Sequence, residues 1–257
     1  MPAMDYERVA RFYDSYVQTD TDVPFFLREA KRAAGAVLEL TAGTGRVSIP
    51  LLLAGIDLTC VDGSPAMLDI LRGKLRTEEL SAEVIQADLC ELSLDRQFDL
   101  IFIPFHSFAE ITETAGQHQA LLRIHDHLSD DGRFICTLHN PPVRLQSVTG
   151  RRRELGSFPL PDGNMLALSS VENYDPVFKS VSGSQFYDVR RWDGSLLAGM
   201  TVDLHFCLHS HYDFQSLVEA AGFVPVHLYG DYSHGPFEPQ TSPFMIWVLR
   251  KTRAETM

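Results

Sequence analysis

A turn of small residues, Thr41-Ala42-Gly43-Thr44-Gly45, directly follows the apolar run at 37–40. Glycines in such a turn let the backbone approach a ligand closely, and a helix start just beyond offers free N–H groups. Asp62 ends the next apolar run, and a carboxylate in that place can accept both hydroxyls of a ribose. Met67 follows within a turn of chain, where a thioether side chain suits the face of a purine. Asp88 comes after a third run, in Gln86-Ala87-Asp88-Leu89, and can accept from an exocyclic adenine amine. Together these residues describe an adenosine site laid across three successive strand ends. A dinucleotide is the competing ligand. It wants a third small residue closing the turn, and the frame from Gly43 places Ser48 there. A Walker phosphate loop is excluded, because no Gly-Lys-Ser/Thr occurs.

The elements that must position these residues alternate in type. Residues 5–17 and 22–34 carry helical patterns, the second with Asp22 as cap and Pro24 in its first turn. Strands are expected at 36–40, 56–61, 82–87, 98–104 and 132–138. Helices are expected at 45–54, with Pro50 forcing a kink or a late start, from Ser64-Pro65 onward, and at 115–128. Strand–helix alternation with short links predicts a parallel sheet covered on both faces. Right-handed crossovers bring all its strand C-terminal ends to one edge, where ligands bind. The loops after Leu40, Val61, Ala87, Ile103 and Leu138 should therefore face one crevice.

Beyond residue 140 the pattern changes. Residues 141–163 are rich in Pro, Arg and Gly and are expected to form a loop. Between about 165 and 209 the alternation suits three antiparallel strands with turns at Asp175-Pro176 and Asp193-Gly194. A helix at 213–221 and strands at 223–229 and 243–250 close the chain. The expected organisation is one α/β domain over 1–257, a seven-stranded mostly parallel sheet with N-terminal helices in 1–34 and an antiparallel β insertion over 145–209.

The runs Glu39-Leu40-Thr41-Ala42-Gly43-Thr44-Gly45-Arg46, Val61-Asp62-Gly63-Ser64-Pro65-Ala66-Met67, Gln86-Ala87-Asp88-Leu89 and Phe98-Asp99-Leu100-Ile101-Phe102-Ile103-Pro104-Phe105-His106 resemble the class I S-adenosylmethionine-dependent methyltransferases, especially those acting on small molecules. The resemblance covers about residues 5–140 well and 210–250 moderately. The usual first glycine of the motif is Thr41 here. The resemblance implies a Rossmann-like fold with S-adenosylmethionine as cofactor and S-adenosylhomocysteine as product. It implies that Glu39 helps fix the turn and the cofactor's amino group. Thr41, Ala42 and Gly43 would pass their backbone under the methionine moiety, with Gly43 and Gly45 closest to the cofactor. Asp62 would bind the ribose, Gly63, Ser64 and Met67 would surround the adenine, and Asp88 and Leu89 would meet its edge. Pro104, Phe105 and His106 would lie beside the sulfonium, and Arg46 and Tyr13 would reach the cofactor carboxylate.

Methyl transfer from a sulfonium is an in-line displacement that asks a protein mainly for alignment and exclusion of water. A base is needed only where the nucleophile must lose a proton. His106 and His139 follow the fourth and fifth strands and are the candidates, each equally readable as an imidazole bonded in the pocket wall. Tyr6, Phe12 and Tyr16 are expected in the core, with Tyr13 facing the cofactor. Tyr232, His234 and Phe237 in the loop 230–239 are expected near the acceptor, and Arg151–Arg153 in solvent or on an anion. His209 and His211 share a strand face, but no matching partners are evident and no metal is expected. Two other readings stand beside methyl transfer to N or O of a small molecule: a nucleotide-dependent oxidoreductase, and a non-catalytic cofactor-binding regulator.

The net charge is -12, from 22 Lys and Arg against 34 Asp and Glu. That field repels nucleic acid and anionic membrane surfaces. Asn140-Pro141-Pro142 is followed by Val143, where an aromatic would be needed to stack a flipped base. No apolar run reaches the ~20 residues of a membrane span. Four cysteines without a Cys-x-x-Cys pair suit reduced thiols and a cytoplasmic setting.

Overall fold

The computed structural model describes residues 4–252, so residues 1–3 and 253–257 of the expected domain lie outside the described residues. Helices α1 (Tyr6–Tyr16) and α2 (Val23–Lys31) precede β1 (Val37–Leu40), α3 (Ser48–Leu53), β2 (Leu58–Asp62), α4 (Pro65–Thr77) and β3 (Glu83–Gln86). Then come β4 (Phe98–Ile103), α5 (Thr114–His127) and β5 (Leu128–His139). A short α6 (Pro141–Arg144) leads to β6 (Arg153–Pro159), β7 (Met165–Asp175), β8 (Ser180–Arg190) and β9 (Leu196–Cys207). Finally α7 (His211–Ala220), β10 (Phe223–Tyr229) and β11 (Phe244–Lys251) close the described chain.

Seven strands form one sheet in the order β3-β2-β1-β4-β5-β11-β10. Strands β1 to β5 pair in parallel, and β11 runs antiparallel to both β5 and β10. Both faces are covered, which is why the central strands read as unbroken apolar runs. Leu38, Leu40, Ile101 and Ile103 point to the side of α5 and α7. Val37, Leu100 and Phe102 point to α2, α3 and α4, where Phe26 stacks on Phe102 at 4.6 Å between ring centroids. The strand order reverses between β1 and β4, so their C-terminal ends flank the crevice. Among the described residues no helix is long and apolar enough to cross a membrane.

The second sheet is four antiparallel strands, β6-β7-β8-β9. Helix α1 lies against it through Val9 and Phe12, packed on Leu166, Leu168 and Tyr187. Its opposite side reaches α4, where Glu7 accepts from the Ser64 hydroxyl at 2.6 Å. This helix therefore bridges the two halves and roofs the space between them.

Three local expectations are corrected. Helix α3 starts at Ser48, not at Gly45, because Gly43 and Gly45 hold φ of 56° and 86°, which no right-handed helix admits. Pro50 then falls in the first turn, where its missing N–H has no partner to lose. The stretch 141–163 is not all loop but contains α6 and β6. β6 is an edge strand with a bulge between Glu154 and Gly156, and an edge is where glycine and proline are tolerated and the sequence signal is weakest. Asp22 makes no capping bond to α2, because its carboxylate turns to Arg46 instead.

Candidate active site

Two cavities meet at the C-terminal edge of the parallel strands. The first, of about 490 Å³, lies over the ends of β1, β2 and β3. It is lined by Thr41 and Gly43 from the turn, by Asp62, Gly63, Ser64 and Met67 from β2 into α4, by Asp88 and Leu89 beyond β3, and by Tyr13 from α1. Asp62 takes one N–H from each side of it: Gly43 donates to one carboxylate oxygen at 2.8 Å and Ser64 to the other at 2.8 Å. It thus ties the glycine turn to the start of α4. Burial raises its pKa, and the two N–H donors oppose that rise. Ser64 caps α4 by accepting from the Met67 N–H, and Asp88 accepts from the Cys90 N–H at 2.7 Å.

A narrow recess beside this cavity holds Glu39, Ala42, Arg46, Pro104 and Phe105. Arg46 donates to both oxygens of Asp22 and to the Thr19 carbonyl, and its guanidinium lies 4.8 Å from the Phe105 ring centre. Three of its five N–H groups are so engaged, which fixes the side chain in the recess. Glu39 is 1% exposed and accepts from the Ser48 hydroxyl at 2.6 Å. Burial pushes its carboxyl up to about 8 from 4.5. The folded protein then keeps a proton there that the unfolded chain loses above 4.5, so this group makes stability fall as pH rises from 4.5 to about 8. Replacing Glu39 by Gln should remove that slope. Without added ligand, the variant should gain about 2–4 kcal/mol on wild type between pH 5 and pH 8.5. Chemical denaturation at the two pH values measures this, and an unchanged difference would refute it.

The second cavity, of about 420 Å³, lies between the parallel-strand edge and the antiparallel sheet. Its lining includes Phe105, His106 and His139 from the ends of β4 and β5, with Arg144, Glu172, Gln185 and His205 opposite. Phe105 and His106 both have positive φ, 56° and 70°, as does Thr41 at 60°. Such left-handed backbone at non-glycine residues is costly and clusters where a site dictates it. The rings of His106 and His139 stack with centroids 3.7 Å apart. Burial, with Arg144 adding to it, pushes His106 down to about 3, and burial with His106 beside it holds His139 well below its ordinary value. Both imidazoles are neutral near pH 7 and weakly basic. Both rings lie in the wall of this cavity.

The two cavities share Met4, Tyr6, Tyr13, Ser107 and Glu110. Of these, sequence reasoning singled out Tyr13 alone as facing a ligand. Tyr6 and Tyr16 pack against the core cluster around Val9 and Phe12, as expected, and also line the second cavity, while Phe12 is buried. Glu110, Arg144 and Glu172 were not identified, because no spacing in the sequence links them. Tyr6 and Glu110 are 104 residues apart and meet at 2.5 Å. Four expectations fail on placement. Gly45 lines neither these two cavities nor the recess, and a Cβ on it would sit 2.4 Å from Leu71 Cδ1 of α4. Tyr232 packs on Phe25, Phe26 and Phe244, and His234 bonds Glu29 at 3.0 Å, so both belong to the α2 side. Phe237 lies against His211. Of the three late histidines, His205 lines the second cavity, His209 bonds Gln117 at 3.1 Å and His211 lies tilted against the Tyr212 ring. Arg153 reaches the rim of the second cavity, and Arg152 lies over the Phe186 ring.

Residues 37–132 match the family model described as "Methyltransferase domain". A glycine/sarcosine N-methyltransferase of Parasynechococcus marenigrum (strain WH8102) is 29% identical over 154 residues, 59% of this chain and 55% of the relative. The chain spans about half the length of the curated relatives it matches. A solved S-adenosylmethionine-dependent methyltransferase from Clostridium acetobutylicum ATCC 824 superposes with TM-score 0.80 at 18% identity, covering 96% of this chain and 99% of that one. The sugar N-methyltransferase KedS8 from Streptoalloteichus sp ATCC 53650 does so with TM-score 0.73 at 21% identity, covering 93% and 92%. At these identities the solved structures share the fold.

Proposed function

From a chain that belongs to the class I S-adenosylmethionine-dependent methyltransferases, we propose an enzyme that moves a methyl group to nitrogen or oxygen of a small molecule. The observation that carries this reading is the pair of adjoining cavities with a common wall at the strand edge. S-adenosylmethionine is the cofactor and, when bound, supplies an activated methyl on a sulfonium. The first cavity fits it. A Cβ on Gly43 would meet nothing within 4 Å, so this turn leaves open space for a ligand, and Asp62 presents a half-buried carboxylate beside it.

In this reading Asp62 would accept the ribose hydroxyls, Gly63, Ser64 and Met67 would surround the adenine, and Asp88 and Leu89 would meet its edge, with Asp88 accepting from its amine. Glu39, Ala42, Arg46 and Tyr13 surround the methionine end, with Pro104 and Phe105 closing that side. The second cavity takes the acceptor, and α1 excludes water from both. His106 and His139 shape the acceptor wall as neutral imidazoles. The N-methyltransferase names among the relatives support a small nitrogen-bearing acceptor. Calorimetric titration with S-adenosylhomocysteine, with NAD and NADP run alongside, tests the reading. One-to-one binding of S-adenosylhomocysteine alone is expected, and binding of a dinucleotide instead would overturn it.

A further inference from the structure

We propose that the methyl acceptor is an alkylamine arriving as its ammonium, and that Glu110 binds this ammonium and takes its proton. The proposal rests on the methyl-transfer reading of the same site. Glu110 borders both cavities, so it stands where the methyl group must cross. Two carboxylates line the acceptor cavity, and their partners differ. Glu172 is ion-paired with Arg144 and also accepts from the Ser170 hydroxyl. Glu110 has a neutral partner, the Tyr6 hydroxyl at 2.5 Å. Among the described residues, the groups that face it from neighbouring elements are Tyr6, Tyr13 and Tyr16 on α1 and Asp62 at the end of β2, none of them a cation. His106 and His139 bring no positive charge either, because both are held neutral.

A carboxylate removed from water without a cation is costly, and a ligand that supplies the cation is selected by that cost. An ammonium supplies it and a hydroxyl does not. Phe206, Leu204 and Leu155 give part of the remaining wall to the carbon skeleton of such an amine, with His205 and, at the rim, Arg153 also on it. Burial lifts the Glu110 carboxyl to about 7, with Asp62 adding to the rise. A group poised there can receive a proton near neutral pH. In the step itself, one ammonium N–H bond breaks and its electron pair stays on nitrogen as the attacking lone pair. The proton passes to the Glu110 carboxylate and returns to solvent when the site opens.

The test is binding, not turnover. With S-adenosylhomocysteine saturating, the full chain is titrated with phenethylamine against 2-phenylethanol, and with glucosamine against glucose. At least one amine should bind tenfold or more tighter than its alcohol. Glu110→Gln, which keeps an oxygen for Tyr6, should cut that preference to threefold or less. Glu110→Asp, which keeps the charge, and Glu172→Gln should both retain it. No amine preference in the wild type, its survival in Glu110→Gln, or its loss in Glu172→Gln alone would overturn the proposal. Absence of S-adenosylhomocysteine binding to wild type would instead sink the cofactor reading beneath it.

Discussion

Replacing Asp62 by Asn should weaken S-adenosylhomocysteine binding by at least about 100-fold, a loss of two charge-assisted hydrogen bonds at ~1.5–3 kcal/mol each. The carboxylate has two tasks, and asparagine fails at both. It holds the Gly43 and Ser64 N–H groups, one on each oxygen, and the outer lone pairs of the same oxygens face the cavity. Asparagine has one oxygen, so one of those N–H groups would face an NH₂. Asp62→Ala removes both acceptors and should be at least as severe. Calorimetry measures the affinity and near-ultraviolet circular dichroism reports that the fold is kept. An affinity within threefold of wild type would refute the ribose assignment.

The two turn glycines should separate binding from stability. Gly43 has φ 56° and open space in front of it, whereas Gly45 has φ 86° and Leu71 2.4 Å from the position of a Cβ. Gly43→Ala should cost ~1–2 kcal/mol of stability from left-handed strain. Its methyl enters the ligand cavity, and overpacking of ~1–3 kcal/mol there should weaken S-adenosylhomocysteine roughly 5- to 150-fold. Gly45→Ala carries the same strain plus a collision with α4, for a total of about 2–4 kcal/mol of stability. At this chain length that lowers the melting temperature by roughly 5–15 °C. The ligand affinity of the folded fraction should stay within a few-fold. The reverse pattern, a weak binder from Gly45→Ala and an unstable protein from Gly43→Ala, would show that the turn is oriented the other way.

Thr41 shows how a motif departure and a backbone strain can share one cause. Its φ of 60° is a conformation in which glycine is comfortable and a β-branched residue is not. Its hydroxyl turns back to the Leu40 carbonyl at 2.5 Å, a local bond that glycine does not offer.

What the chain determined by itself is the α/β alternation and the meeting of the glycine turn, Asp62, Met67 and Asp88 at one cavity. Asp62, Met67, Asp88 and the glycine turn each follow an apolar run, and parallel pairing with right-handed crossovers brings such ends to one edge regardless of packing detail. Local pattern was therefore enough for them. Tertiary structure alone decided the second cavity. Whether Tyr6 or Tyr16 faces a cavity depends on how α1 is clamped between α4 and the antiparallel sheet, and Glu110 acquires its partner from 104 residues away. The loop 230–239 leaves the same sheet edge yet folds onto α2, because Glu29, Phe25 and Phe26 offer it a hydrogen bond and an aromatic bed. Burial did the rest. It made His106 and His139 neutral and drew Glu39 and Glu110 toward their protonated forms, and burial is a property of the assembled volume around a side chain, not of its neighbours in sequence.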